Sequence, residues 1–237
     1  MFVKLITRLL YYISSVPVIP RVYKVLRKSL KVPHIQKGLE EVQKLNILGV
    51  KGDGSKYLHP HIWLSENALR IVRLSLDRST PLRILDLGSG PGYFIALARS
   101  LGHDAHGVDL GEHPIYTPMN RAFGNTINWC KITSDSHLLS IDRLVPFDLI
   151  TAFSVTFDRH NRQIKESMWS SEDWICFFSN LRPLIHKNSK IVLQLNTRTI
   201  YGCRGDEFKI FRTNILSSVG FECVTVERRF VEIMPLK

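Results

Sequence analysis

The stretch ILDLGSGPGYF, residues 84–94, sets an aspartate and three alternate glycines at the end of a short apolar run. Gly88, Gly90 and Gly92 can take positive φ, and they lack the Cβ atoms that would hold a ligand off. Between a strand and a helix, such a loop turns backbone N–H groups and a helix N-terminus toward what it binds. Asp86 stands two residues before the first glycine, where a carboxylate repels a phosphate and pairs with a cationic amino group. Asp109 comes 23 residues later, at the tip of a second strand that ends in GVDL, and can accept hydrogen bonds from both hydroxyls of a ribose. These groups frame a nucleoside-like ligand that carries an amino group. The dinucleotide fingerprint G-x-G-x-x-G is matched less well, because Tyr93 stands where its third glycine belongs. An NAD(P)-dependent oxidoreductase is therefore the lesser reading.

The elements that must position these residues alternate. Runs at 82–87, 104–109, 126–132, 147–153 and 190–195 read as strands, with helices over about 92–102, 115–123, 171–185 and 207–218. Near-continuous apolar strands separated by helices predict a parallel sheet covered on both faces. The chain then changes habit, with FECVTVER and RFVEIMP as two successive strands and no helix between. Upstream, Ser65 is the expected N-cap of a helix running to about Asp77, and GVKGDGSKY (49–57) reads as a glycine loop.

The pattern D-L-G-S-G-P-G resembles the first motif of class I S-adenosylmethionine-dependent methyltransferases, Asp/Glu-x-Gly-x-Gly-x-Gly. The resemblance extends over residues 82 to about 235, since a closing antiparallel hairpin also marks that family. It implies an α/β fold with a doubly wound, mostly parallel seven-stranded sheet, a C-terminal antiparallel hairpin and S-adenosyl-L-methionine as cofactor. Asp86 would orient the methionine moiety, and Gly88, Ser89, Gly90 and Gly92 would shape the backbone around it. Asp109 would bind the ribose hydroxyls, with Leu110 against the adenine. Ile132 or Thr133, with Asp135 as the alternative, would complete the adenine contact, and Phe153 would lie at the end of the fourth strand. The implied division is a basic amphipathic helical extension over 1–60 and a methyltransferase domain over 61–237.

In the resemblance the methyl acceptor sits after the fourth strand, here AFSVTFDRHNRQIKESMW. In-line transfer from a sulfonium needs the nucleophile aligned, and deprotonated when it is a hydroxyl or an ammonium. His160 is the candidate general base, against the alternative of a surface loop histidine, and Asp158 reads as a turn or cap residue. No Asn/Asp-Pro-Pro-aromatic run and no cysteine falls in this segment, which argues against adenine amino and cytosine C5 chemistry. Trp169 is a candidate for an acceptor pocket and Trp174 for the core; between them, Ser170 or Ser171 should cap the next helix. Tyr57, His59 and His61 precede the first motif and are candidates to line the site or form its lid. Two histidines alone do not make a metal centre, and none is predicted. In IHKNSK, before the fifth strand, Asn188 is expected to take the left-handed conformation that a glycine would supply.

The net charge of +11 is concentrated. Residues 1–39 hold Lys4, Arg8, Arg21, Lys24, Arg27, Lys28, Lys31 and Lys37 and no acid, leaving +3 for the other 198 residues. Residues 2–13 place Phe2, Leu5, Ile6, Leu9, Leu10 and Ile13 at helical spacing; a second helix then opposes Val22, Tyr23, Leu26 and Leu30 to Lys24, Arg27, Lys28 and Lys31. Neither apolar run approaches the ~20 residues a membrane span needs, and no small-x-small cleavage site follows the first. Three uses of the basic helices stay open: a lid packed on the core, a peripheral membrane contact through residues 1–31, or a nucleic-acid contact. The four scattered cysteines fit a reducing, cytoplasmic setting. The expected activity is methyl transfer to a small-molecule, lipid-linked or saccharide acceptor, and the alternative is a catalytically silent cofactor-binding module.

Overall fold

The computed structural model describes residues 18–135, 146–155, 169–195, 214–227 and 230–236. The helix expected over 2–13, half of that expected over 207–218, and both His160 and Asp158 lie outside them. The described residues form two compact units, one of 18–81, 90–105 and 111–126, the other of 82–89, 106–110 and the described residues from 127 on.

The first unit is helical. Helix α1 is Val18–Ser29, α2 Pro33–Ile47, α3 Pro60–Arg73, α4 Tyr93–Ser100 and α5 Tyr116–Ala122, with a 3-10 turn at Asp53–Leu58. Pro20 lies in α1, and its ring-fixed φ is compatible with the helix. Val22, Val25 and Ser29 form the buried side of α1, which packs on α3. Arg21 turns inward as well, to an ion pair with Asp77 at 2.5 Å. Helix α2 packs on α5 so closely that a Cβ on Gly38 would overlap the Phe123 ring. Ser65 is not an N-cap. Pro60, with its fixed φ, starts α3 five residues earlier, and the Ser65 hydroxyl donates to the His61 carbonyl at 2.7 Å inside the helix.

The second unit holds most of the sheet. Its strands are β1 (Arg83–Leu87), β2 (Asp104–Asp109), β3 (Thr126–Trp129), β4 (Phe147–Val155), β5 (Ile185–Leu195), β6 (Phe221–Glu227) and β7 (Phe230–Pro235), in the order β3-β2-β1-β4-β5-β7-β6. β1 with β4 and β4 with β5 run parallel, whereas β5 with β7 and β7 with β6 run antiparallel. The predicted mostly parallel seven-stranded sheet with its closing hairpin is therefore present. Strand order reverses between β1 and β4, which makes their carboxyl ends the switch point where open α/β sheets bind ligands.

Helix α6 (Ser171–Leu181) begins with a capping box, in which Ser170 accepts from the Asp173 N–H and the Asp173 side chain accepts from the Ser170 N–H. Its Trp174, Phe177, Phe178 and Leu181 join Leu85, Leu87, Ile150, Ala152, Ile191 and Leu193 in one core. Strand residues alternate in direction. Asp86, Thr151, Phe153 and Gln194, set between those core residues, therefore share the opposite face of the sheet.

The turn expected at Asn188 is absent, and Asn188 does not take positive φ. β5 already begins at Ile185, which pairs with Phe147, while Lys190 pairs with Leu149. The extra residues are held as an irregularity of the strand. Ser189 donates to the Phe147 carbonyl at 2.7 Å, and His186 meets Asp148 at 3.0 Å. Side-chain hydrogen bonds thus replace the left-handed residue.

Candidate functional site

Asp86 is buried near the end of β1, and its register partner on β4 is Thr151. The Thr151 hydroxyl donates to the Asp86 carboxylate at 2.7 Å. Sequence reasoning missed Thr151, because one threonine in an apolar strand gives no signal until the register sets it beside an acid.

The glycine loop is built as its spacing predicts in one respect. Gly88, Gly90 and Gly92 have φ of 73°, 55° and 81°, the region that side chains disfavour. In another respect it differs. The N–H groups of Gly88 and Ser89 do not face outward; both donate to the Val108 carbonyl, at 2.7 and 3.1 Å. The loop is thereby tied to β2 one residue before Asp109. The Asp109 carbonyl in turn accepts from the Cys130 N–H at 2.9 Å, fixing this strand end from both sides. Asp109 is buried, Leu110 half-buried, and Ile132 and Phe153 buried. Thr133 is half-buried and donates to Asp135 at 2.7 Å.

Two observations test whether these residues suit S-adenosylmethionine. The Ser89 hydroxyl is buried, the residue being 9% exposed, and has no hydrogen-bond partner among the described residues, which is costly unless a ligand supplies one. A Cβ built on Gly90 would meet nothing closer than Tyr116 Cζ, at 4.0 Å, an ordinary van der Waals contact. A buried hydroxyl without a partner among the described residues and two buried carboxylates suit an amino-bearing nucleoside. The third-glycine position of a dinucleotide loop is filled by Tyr93, whose buried ring packs on Phe123 and whose hydroxyl donates to the Tyr57 carbonyl at 2.9 Å. Burial raises the Tyr93 phenol well above its usual range.

Asn120 and Asn125 were also missed. The Asn120 amide donates to the Gly90 carbonyl at 2.8 Å, and the Asn125 amide to the Gly92 carbonyl at 3.0 Å and to Asn120 Oδ1 at 2.9 Å. A Cβ on Gly92 would overlap both amides. Two asparagines near a short helix carry no pattern a sequence could expose.

Tyr57 lies in the helical unit, its ring 4.6 Å from Trp63 and 5.8 Å from Tyr116. His59 and His61 are exposed, with ring centroids 6.2 Å apart. Among the described residues, no group of three or more His, Cys, Asp or Glu has the arrangement of a metal site. Trp169 is buried against Trp174 and Phe177, and it also borders an open cleft of about 490 Å³ with Thr133, Asp135, Glu172 and Cys176. Two further features mark the carboxyl edge of β4 and β5. Ser154, exposed and not a glycine, has φ of 55°, a strained conformation of the kind that gathers at functional sites. Gln194, 2% exposed and opposite Phe153, buries an Oε1 with no hydrogen-bond partner among the described residues.

No protein-family model matches the chain, and no curated protein sequence matches it. Solved structures do match in fold. An S-adenosylmethionine-bound amino pentose methyltransferase of Micromonospora echinaspora aligns at a TM-score of 0.50 and 14% identity, over 74% of this chain and 92% of its own. A TehB-like S-adenosylmethionine-dependent methyltransferase of Corynebacterium glutamicum aligns at 0.48 and 17%, over 82% and 94%. A 1,6-didemethyltoxoflavin-N1-methyltransferase of Burkholderia thailandensis, solved with bound 1,6-didemethyltoxoflavin and S-adenosylhomocysteine, aligns at 0.48 and 14%, over 87% and 91%. The fold is that of the class I S-adenosylmethionine-dependent methyltransferases.

Proposed function

We propose that the chain transfers a methyl group from S-adenosylmethionine to the oxygen or nitrogen of a small-molecule acceptor, free, lipid-linked or part of a saccharide. The observation that carries this reading is the Asp86–Thr151 pair beside a glycine loop whose Ser89 hydroxyl is buried and unpartnered. When bound, the cofactor supplies a sulfonium-activated methyl group. Asp86 binds its amino group, with the carboxylate oriented by Thr151. Ser89 bonds to the methionine portion, while Gly88, Gly90 and Gly92 let the backbone approach. Asp109 binds the ribose hydroxyls; Leu110, Ile132, Thr133 and Phe153 form the apolar surround of the adenosyl group.

Gln194 shares a sheet face with Asp86, and its orphaned Oε1 suits an acceptor that carries an O–H or N–H donor. Trp169, Tyr57, His59 and His61 are the candidates to contact that acceptor or cover it. His160 takes the acceptor's proton where one must leave. In this reading residues 61–237 form the catalytic domain and 1–60 the basic extension.

Calorimetric titration with S-adenosylmethionine and, separately, with NAD tests the proposal. Saturable binding of the first, lost in an Asp86→Ala/Asp109→Ala double variant, is the expected result. Binding of NAD instead, or of neither ligand, overturns it. Binding without turnover on any acceptor with an O–H or N–H group would leave a catalytically silent module.

A further inference from the structure

The exposed side of α1 is unusual in what it lacks. Its outward positions, Pro20, Tyr23, Lys24, Arg27, Lys28, Leu30 and Lys31 (the last two in the turn that follows), recur every three to four residues and form one stripe. Four of the seven are cations. No acid occurs before Glu40, and none of the four has an ion pair among the described residues. The one arginine of α1 that does have a carboxylate partner, Arg21, points the other way, to Asp77. A structural helix on a solvated surface usually mixes both signs at such positions. Among the described residues the pairing is spent inside, and the outer cations have no ion-pair partner.

Among these cations stand Tyr23, 61% exposed, and Leu30, 42% exposed. Large apolar side chains presented with unpaired cations match the interface of an anionic bilayer, where rings and aliphatic chains enter the headgroup layer and lysines reach phosphates. A nucleic-acid backbone would use the cations but has no place for Leu30. The sequence ahead of α1 continues the theme, with Phe2, Leu5, Ile6, Leu9, Leu10 and Ile13 beside Lys4 and Arg8. No helix among the described residues is long and apolar enough to cross a membrane. We infer that the outer face of α1 docks the protein on an anionic lipid surface. The inference stands on charge and exposure alone and does not depend on the methyltransferase reading.

The test is flotation of the intact chain with phosphatidylcholine vesicles, with and without about one-third phosphatidylglycerol. Flotation should occur only with the anionic vesicles and should weaken as salt rises from about 0.1 M to about 0.5 M. A Lys24→Glu/Arg27→Glu/Lys28→Glu/Lys31→Glu variant should lose binding by on the order of 10²-fold or more, since each surface cation contributes about 1 kcal/mol. The corresponding glutamine variant replaces it should the glutamate set fail to fold. Equal flotation of parent and variant, no flotation with anionic vesicles, or displacement from them by an equimolar RNA oligonucleotide would each overturn the inference.

Discussion

Within the glycine loop, φ and neighbouring atoms make separate demands, and two glycines separate them. Gly90 and Gly92 both have positive φ, so alanine at either is strained by about 1–2 kcal/mol. Beyond that they differ. A Cβ at Gly92 would strike the Asn120 and Asn125 amides that hold the loop carbonyls, whereas a Cβ at Gly90 would touch only Tyr116 Cζ, at 4.0 Å. Gly92→Ala should therefore cost the greater stability in urea unfolding, roughly 1–3 kcal/mol beyond the strain. Gly90→Ala should cost less stability and, on the proposed function, more affinity for S-adenosylmethionine, since the proposal has the cofactor approach the backbone there. The same order in both measurements would remove Gly90 from the binding surface.

Elements are joined by residues that titrate as well as by packing. His103, buried immediately before β2, donates from Nε2 to the carbonyl of Leu76 at 3.0 Å, in the turn after α3. Burial lowers its pKa, the Leu76 hydrogen bond opposes that, and the charge of Lys28 adds to it. The unfolded chain thus takes up a proton as pH falls through about 6.5, while the folded chain waits until its depressed pKa. Between those two values stability must rise with pH. His103→Gln, which keeps a donor and cannot charge, should flatten the slope of unfolding free energy over pH 5 to 7; identical slopes would mean His103 does not contribute. Nothing in the sequence singled out His103, and the reason applies more widely. β2 was legible because a short strand ended in GVDL at the expected distance from the glycine loop, and the terminal hairpin because two strands followed one another without a helix. The start of β5 was not, since what replaces a turn there is Ser189 reaching Phe147 and His186 reaching Asp148, partners 38 or more residues apart. Ser65 misled for the opposite reason: a good capping residue was outranked by Pro60, which starts a helix by its ring. Within the site, Asp86, Asp109 and the glycines carry a spacing, whereas Thr151, Asn120 and Gln194 acquire meaning only from register and tertiary contact.

At the scale of the molecule, the chain passes between the two units five times, at 81/82, 89/90, 105/106, 110/111 and 126/127. The glycine loop contains one of those crossings, and β2 another. Neither unit is a continuous stretch that could unfold and leave the other intact. One cooperative transition is therefore expected, seen alike by calorimetry and by circular dichroism. A ligand that binds only the folded chain must then displace that transition as a whole. At a free concentration a hundredfold above its dissociation constant it adds about 2.7 kcal/mol. For a chain of this size, each kcal/mol shifts the midpoint by about 2–4 °C, so S-adenosylmethionine should raise Tm by roughly 5–11 °C. NAD at the same concentration should not move it, because Tyr93 closes the loop position a dinucleotide would need open. Two separated transitions, with only one responding to S-adenosylmethionine, would contradict the cooperative coupling. A shift with NAD and none with S-adenosylmethionine would instead reverse the reading of Asp86 as the partner of an amino group.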